Sequence, residues 1–340
     1  MGSPFLRGGP RTAAGSIANA IWSLRKVLMP GHSGGMEPVR TPLPHTPYDG
    51  DKSPFTVGLA PLDLKDWIEI DDQLGDYLEQ KAELFHRDES AVFAAEPETL
   101  DAQAETLALL VGHLPRRFPD LYRFDGATIT VTATGESHRI ADHAAAPLKL
   151  AALLVQEDLV LMRKGPNGYR LAAAALTFPS SWSLGEKFSQ DMTAIHENVP
   201  GFNGARMGAI VGRIFENLPV DAPVWRLNWS IYGDGKLHHP AAKSLEAQIG
   251  EGDPSFFVRV ERQTLRRLPQ SGDVLFTIRV HVDPFAAFVR HPDGARLAAR
   301  LRAQLLALDA DQLAYKGLTG ERDRVIAALE AIAGAVRQAG

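Results

Sequence analysis

The stretch from Thr177 to Phe202 reads TFPSSWSLGEKFSQDMTAIHENVPGF, and it places His196 just ahead of Val199, Pro200 and Gly201. Trp182, Phe188, Met192 and Ile195 recur at a spacing that predicts a helix ending at that histidine. An imidazole fixed between bulky apolar neighbours and a Pro-Gly stop can serve as an axial metal ligand through a neutral ring nitrogen. The same ring can instead cap the helix C-terminus, where a partly cationic group is favoured by the dipole. Spacing alone leaves both readings open.

The strands that follow carry the other reactive or charged candidates. In Val224 to Tyr232, the residues Trp225, Leu227, Trp229 and Ile231 share one face, which puts Arg226 and Asn228 on the other. In the next strand Arg262 and Thr264 fall in phase with Val258 and Val260, so an arginine projects from an otherwise apolar face. A buried guanidinium needs a partner, either a bound anionic group or a structural carboxylate from a neighbouring element. His238 and His239 lie on a Gly-containing loop and are expected to be solvated turn residues. His281, in phase with Thr277 and Arg279, is expected to be structural.

The chain contains no cysteine. That excludes disulfides, thiolate-ligated haem, covalent haem attachment through Cys-x-x-Cys-His and cysteine-held iron-sulfur clusters. There is no Gly-x-Gly-x-x-Gly fingerprint, no His-Glu-x-x-His, no EF-hand loop and no Gly-x-Ser-x-Gly elbow. The 340 residues carry a formal net charge of -5, so no global electrostatic case for nucleic acid exists. That length allows one large or two small domains with ample core.

Four regions must position these residues. Residues 1–41 are rich in Gly, Pro, Ser and Arg, and no acidic residue precedes Glu37. They read as a disordered or non-native extension, with an apolar run too short for a membrane helix. Residues 42–156 form an expected N-terminal helical region, with amphipathic helices over Asp71 to Phe85 and Leu100 to Leu114 and a short strand pair turning at Gly135. Residues 157–283 contain two strands joined at Gly165, Pro166, Asn167 and Gly168, then helices, then three strands, the last two joined at Pro269, Gln270, Ser271 and Gly272. Residues 284–340 read as C-terminal helices with apolar faces at Leu297, Leu301 and Leu305 and at Val325, Leu329 and Ile332. The fold class expected is α+β, a PAS-like antiparallel five-stranded sheet with helices over one face, plus N- and C-terminal helical additions.

Several ordered motifs carry a more specific resemblance. Trp182, Lys187, Ile195-His196, Val199-Pro200-Gly201, Arg226-Leu227-Asn228-Trp229, Glu261-Arg262-Gln263-Thr264-Leu265, Arg267-Leu268-Pro269 and Phe276-Thr277-Ile278-Arg279 resemble the haem-dependent oxidative N-demethylase family. The resemblance spans residues 50 to 315. It implies a PAS-like subunit that holds haem b and removes a methyl group oxidatively from a small amine such as dimethylamine, using O2 and releasing formaldehyde.

Carried onto this chain, the resemblance implies His196 as the axial ligand of the haem iron. It implies Lys187 and Thr264 as further cofactor-binding residues, Lys187 as a point charge for a propionate. Arg226, Asn228 and Arg262 become the expected catalytic group, donors that promote oxygen activation opposite a histidine lacking the electron push of a thiolate. Electrons then come from a separate reductase subunit bearing flavin and an iron-sulfur centre. No membrane association is expected; a cytoplasmic location and a homo- or hetero-oligomer are. The readings that compete with this one are a haem or gas sensor, a haem oxygenase for another small substrate, and a non-enzymatic PAS-like binding subunit.

Overall fold

A computed structural model describes residues 43–50, 55–203, 206–243, 245 and 255–339. The expected extension over residues 1–41 lies outside the described residues. The remainder, Arg40–Gly340, forms one compact unit in which the regions expected at 42–156, 157–283 and 284–340 share a central sheet.

In chain order the strands are β1 (Ala60–Pro61), β2 (Phe93–Ala95), β3 (Tyr122–Phe124), β4 (Thr128–Val131), β5 (Glu136–Arg139), β6 (Asp158–Gly165), β7 (Gly168–Ala175), β8 (Val224–Tyr232), β9 (Phe257–Arg267) and β10 (Val274–Pro284). The helices are α1 (Leu74–Arg87), α2 (Glu89–Val92), α3 (Leu100–Arg117), α4 (Pro147–Ala152), α5 (Leu184–Lys187), α6 (Met192–Ile195), α7 (Arg206–Asn217), α8 (Ala286–Arg290), α9 (Gly294–Leu306), α10 (Ala310–Tyr315) and α11 (Arg322–Ala339).

The main sheet is antiparallel, in the order β1-β8-β9-β10-β6-β7-β2. The α+β class holds, but the sheet has seven strands where five were expected. The five long strands were legible from their apolar runs and the turns between them, with clear alternation in β8. The two-residue β1 and three-residue β2 are too short to show any period, and they come from the N-terminal region to close the edges at β8 and β7. A separate three-stranded sheet, β3-β4-β5, turns at Gly135, whose φ of +72° is a conformation glycine reaches without a Cβ clash.

Two hairpins set the register of the central strands. β6 and β7 meet across Pro166-Asn167, with Gly165 paired to Gly168 and an irregularity at Leu161/Met162. β9 and β10 pair over eleven positions from Val274↔Arg267 to Pro284↔Phe257. Their turn is held from outside, because the Glu105 carboxylate on α3 accepts from the amides of Gln270 and Ser271 at 2.7 and 2.9 Å. A buried carboxylate satisfied by two backbone amides fixes the turn without needing a counter-ion.

Helices cover both faces of the sheet, a correction to the expected one-sided arrangement. On one face Trp229, Ile231, Val258 and Val260 pack with Leu297, Leu301 and Leu305 of α9 and with Val325 and Leu329 of α11. Each such aliphatic side chain, fully buried, contributes about 1.5–3 kcal/mol. The Trp229 indole N–H donates to Gln304 Oε1 at 3.1 Å, satisfying its polar edge inside that core. On the other face Ile278 and Val280 join the larger core, and Phe276 and Leu265 pack against it together with residues of the α5–α7 segment.

Candidate functional site

The segment from Phe178 to His196 folds as two short helical turns instead of the single helix expected there, and α7 follows as a full helix. Ser183 and Glu186 make a reciprocal capping box for α5, which ends at Phe188 in extended conformation. Ser189 then takes a φ of +61°, incompatible with continuing the helix. Asp191 caps α6 by accepting from the amides of Thr193 and Ala194. The apolar spacing of Trp182, Phe188, Met192 and Ile195 did mark a face packed on the core, but local polar caps split the helix.

The stretch from Phe178 to Leu218 is tied down along its length. Arg259, almost fully buried, donates from Nε to Ser180 Oγ at 2.8 Å and from Nη2 to the Phe178 carbonyl at 2.8 Å. The edge of β7 takes the middle, Leu171 donating to Gln190 at 3.0 Å and accepting from Ser189 at 2.9 Å. Arg267 secures the far end by donating to the carbonyls of Leu218, at 2.6 Å, and Phe215.

His196 follows α6. Its Nδ1 donates to the Met192 carbonyl at 2.8 Å, and its ring stacks on Phe202 with centroids 4.1 Å apart and planes 11° from parallel. The backbone bond fixes the tautomer and leaves Nε2 as the nitrogen able to ligate a metal. Burial, reinforced by the Lys187 and Arg226 cations, holds the imidazole below its ordinary pKa, so the ring is neutral at neutral pH. Gly208 makes the stack possible: a Cβ there would lie 2.8 Å from the Phe202 carbonyl oxygen and 3.4 Å from its ring.

Lys187 was expected to stand as a point charge for a haem propionate. It instead folds back, its Nζ donating to the carbonyl of Ile195. The ammonium therefore braces the turn that presents the histidine, and its own pKa is lowered by burial.

The register of β8 on β9 sorts the remaining candidates. Arg226 pairs with Gln263 and Asn228 with Glu261, so these four share one face, the face on which Arg226 acts electrostatically on His196. Asn228 Nδ2 and Gln263 Nε2 both donate to Glu261 Oε2, at 3.4 and 2.8 Å. Arg226 is half-buried, and among the described residues its buried Nε has no hydrogen-bond partner. Desolvation disfavours the guanidinium there, with Glu261 the main compensating charge.

Arg262 and Thr264, expected as a catalytic donor and a cofactor-binding residue, lie on the face opposite Arg226, in phase with Val258 and Val260. Arg262 donates from Nη1 to the Trp67 carbonyl at 3.2 Å and from Nη2 to that of Asp66. Its Nε lies 3.2 Å from Glu69 Oε2, and its guanidinium sits 5.4 Å from the Trp225 ring centroid. Thr264 is fully buried and shares a 2.6 Å hydrogen bond with Thr277. Both are satisfied structural groups. His238 and His239 are half-buried, not solvated: His238 Nδ1 pairs with the Thr177 carbonyl at 2.7 Å, and His239 Nε2 lies 3.1 Å from Asp234.

Sequence reasoning passed over Glu261 and Gln263. Their alternation with Arg262 and Thr264 was visible, but a long connection joins β8 to β9, so no tight turn announced which face of one strand meets which face of the other.

An α+β fold thus carries a half-buried, neutral histidine anchored to its own turn and a cationic group on β8 that acts on it. Half-buried apolar side chains at Trp182, Phe188, Met192, Ile195 and Val211 suit the body of a metal-centred, anionic group, and Arg226 suits its charge. The chain belongs to the haem-dependent oxidative N-demethylase, alpha subunit-like family, whose model matches residues 58–326. The family is haem-dependent and takes its description from an alpha subunit, so haem is the cofactor and a multi-subunit enzyme the setting. Among the described residues no helix is long and apolar enough to cross a membrane.

Proposed function

We propose that this chain is the haem-binding subunit of an oxidative N-demethylase that acts on a small amine and releases formaldehyde. The order β7-β6-β10-β9-β8 of the five long strands supports a PAS-like core, with β1 and β2 as edge additions. His196 would hold haem b through Nε2, the ring nitrogen left free by the Nδ1 bond to Met192. The single observation that carries this reading is the ring's geometry: Nδ1 anchored to Met192, one flat side on Phe202, and a neutral state kept by burial and two cations.

Bound haem supplies O2 binding and oxidation of the N-methyl group; the chain's residues position and polarise. Lys187 keeps the His196 turn closed by bonding Ile195. Arg226 offers a guanidinium with donor capacity to spare, suited to a haem carboxylate or to an oxygen that gains negative charge. Asn228, Glu261 and Gln263 form a hydrogen-bonded set whose carboxylate suits a small ammonium substrate. The chain has no cysteine, so it carries no cysteine-held iron-sulfur centre of its own. Electrons therefore come from a separate subunit bearing flavin and an iron-sulfur centre. A cytoplasmic location fits that reductant supply.

The test is an absorption spectrum of haem-supplied protein in ferric, ferrous and ferrous-CO forms, compared with His196→Ala. A Soret band in the parent that is lost or shifted in the variant supports the assignment, and formaldehyde release from methylated amines with a reductase present completes it. A parent that stays colourless sinks the haem reading for this chain. A coloured parent that shows no amine turnover with a competent reductase sinks the demethylase reading and leaves a haem sensor.

A further inference from the structure

On the sheet face opposite His196, three side chains from distant parts of the sequence meet. His45 precedes a short helical turn at Pro47–Asp49, Glu69 lies in the segment leading to α1, and His281 projects from β10. His45 Nε2 lies 2.9 and 2.8 Å from the two Glu69 carboxylate oxygens. His281 Nε2 is 3.8 Å from Glu69 Oε1, and the two imidazole centroids are 5.1 Å apart, edge to face. One donor atom from each residue can be chosen so that all lie within 4.8 Å of one another.

His281 makes this cluster unusual. It is 1% exposed, yet among the described residues neither of its ring nitrogens has a hydrogen-bond partner. A buried imidazole with both nitrogens unsatisfied costs about 1–3 kcal/mol for each group left unpaired. Burial also keeps the ring neutral, its pKa pushed down to about 4, which is the form that donates a lone pair to a metal.

We infer that His45, Glu69 and His281 form a binding site for a zinc-class divalent transition metal ion, separate from the haem site. Two imidazole nitrogens and one carboxylate are a three-ligand zinc set that leaves a fourth position for water. Nitrogen donors of this kind favour zinc, copper or nickel over magnesium or calcium. The surroundings are those of ligands held in place. Arg262 lies against Glu69 Oε2, which leaves Oε1 on the His281 side, and the Glu69 amide donates to Glu157 at 2.9 Å. The cations Arg262 and Arg279 oppose a metal ion. Glu69 and Asp71 offset them, Asp71 pairing with Arg279 at 2.7 Å. Bound there, the ion clasps the segments carrying His45 and Glu69 to β10.

Zinc titration of the full chain against a chromophoric chelator, after chelator stripping, reads the site directly, with element analysis counting zinc separately from iron. The parent is expected to take one zinc per chain at micromolar free zinc or below. His281→Phe should weaken that at least tenfold, while His196→Ala should leave it unchanged. His45→Ala, in a half-buried segment, gives the same readout should His281→Phe fail to fold. A parent that takes up no zinc at micromolar free concentration overturns the inference, as does undiminished binding by His45→Ala or a folded His281→Phe. Loss of zinc in His196→Ala places the metal elsewhere and overturns it too.

Discussion

Arg226 and Arg262 stand on adjacent strands one register step apart, since Leu227 pairs with Arg262 and Arg226 with Gln263, and they emerge on opposite faces of the sheet. One guanidinium meets half-satisfied polar surroundings beside His196. The other is locked by Glu69 and two backbone carbonyls.

Substitution separates the two. Arg262→Met leaves Glu69 with His45 as its remaining close partner and removes the donor from two carbonyls, so it should destabilise the protein by about 1–3 kcal/mol. The haem spectrum of whatever remains folded should keep its parent form. Arg226→Met should change stability by less than about 1 kcal/mol, because a poorly compensated buried charge is removed, yet lower demethylation at least tenfold. Chemical denaturation paired with formaldehyde assays distinguishes these outcomes, and equal destabilisation by both would refute the division of roles.

Gly208→Ala should act on the histidine at a distance. The added methyl meets the Phe202 carbonyl at 2.8 Å, so either α7, which bears Gly208, or the turn carrying the His196–Phe202 stack must shift. A shifted Soret band and faster haem loss to apomyoglobin are expected; an unchanged haem off-rate would show that the stack does not hold the ligand.

Acid sensitivity should come partly from His113. Burial, with Arg266, Arg116 and Arg117 nearby, pushes its pKa down to about 4 from an ordinary 6.5. Between those values the unfolded chain binds the proton and the folded chain does not, so stability falls as pH drops from 6.5 towards 4. The slope from this group is at most about 1.4 kcal/mol per pH unit, less for its partial exposure. Denaturation midpoints across that range should flatten in His113→Phe, and an unaltered slope would remove His113 as the cause.

Ser189→Gly tests the break between α5 and α6. The positive φ of Ser189 favours glycine by about 1 kcal/mol, but the change also deletes a 3.0 Å bond from Ser189 Oγ to Glu96. The two effects nearly cancel, so thermal unfolding should move by no more than a few degrees, with the spectrum intact. A large loss would show that the hydroxyl bond dominates.

The legible parts of this fold are those with a period. Alternation in Val224 to Tyr232 gave the strand bounds and the facing of Arg226 and Asn228, and the Pro-Gln-Ser-Gly turn gave the β9–β10 hairpin. The edge strands β1 and β2 have too few residues to alternate. The split between α5 and α6 rests on Ser183 and Asp191, whose side chains compete with helix continuation and were outweighed by apolar spacing in the sequence reading. At the site, His196 was readable because it stands at a chain stop. The pairing of Arg262 with Glu69 was not, because it joins residues far apart in sequence and nothing local announces it.

The odd and even positions of β9 serve different masters. Glu261 and Gln263 share the face of Arg226, while Arg262 and Thr264 are sealed into the other side. Replacing one residue disturbs one side alone, but inserting or deleting a single residue ahead of Glu261 would exchange the two sets at once, sending Arg262 to the face of Arg226 and Glu261 into the layer of Trp225 and Leu227. This strand is therefore free to drift in composition and barred from drifting in length.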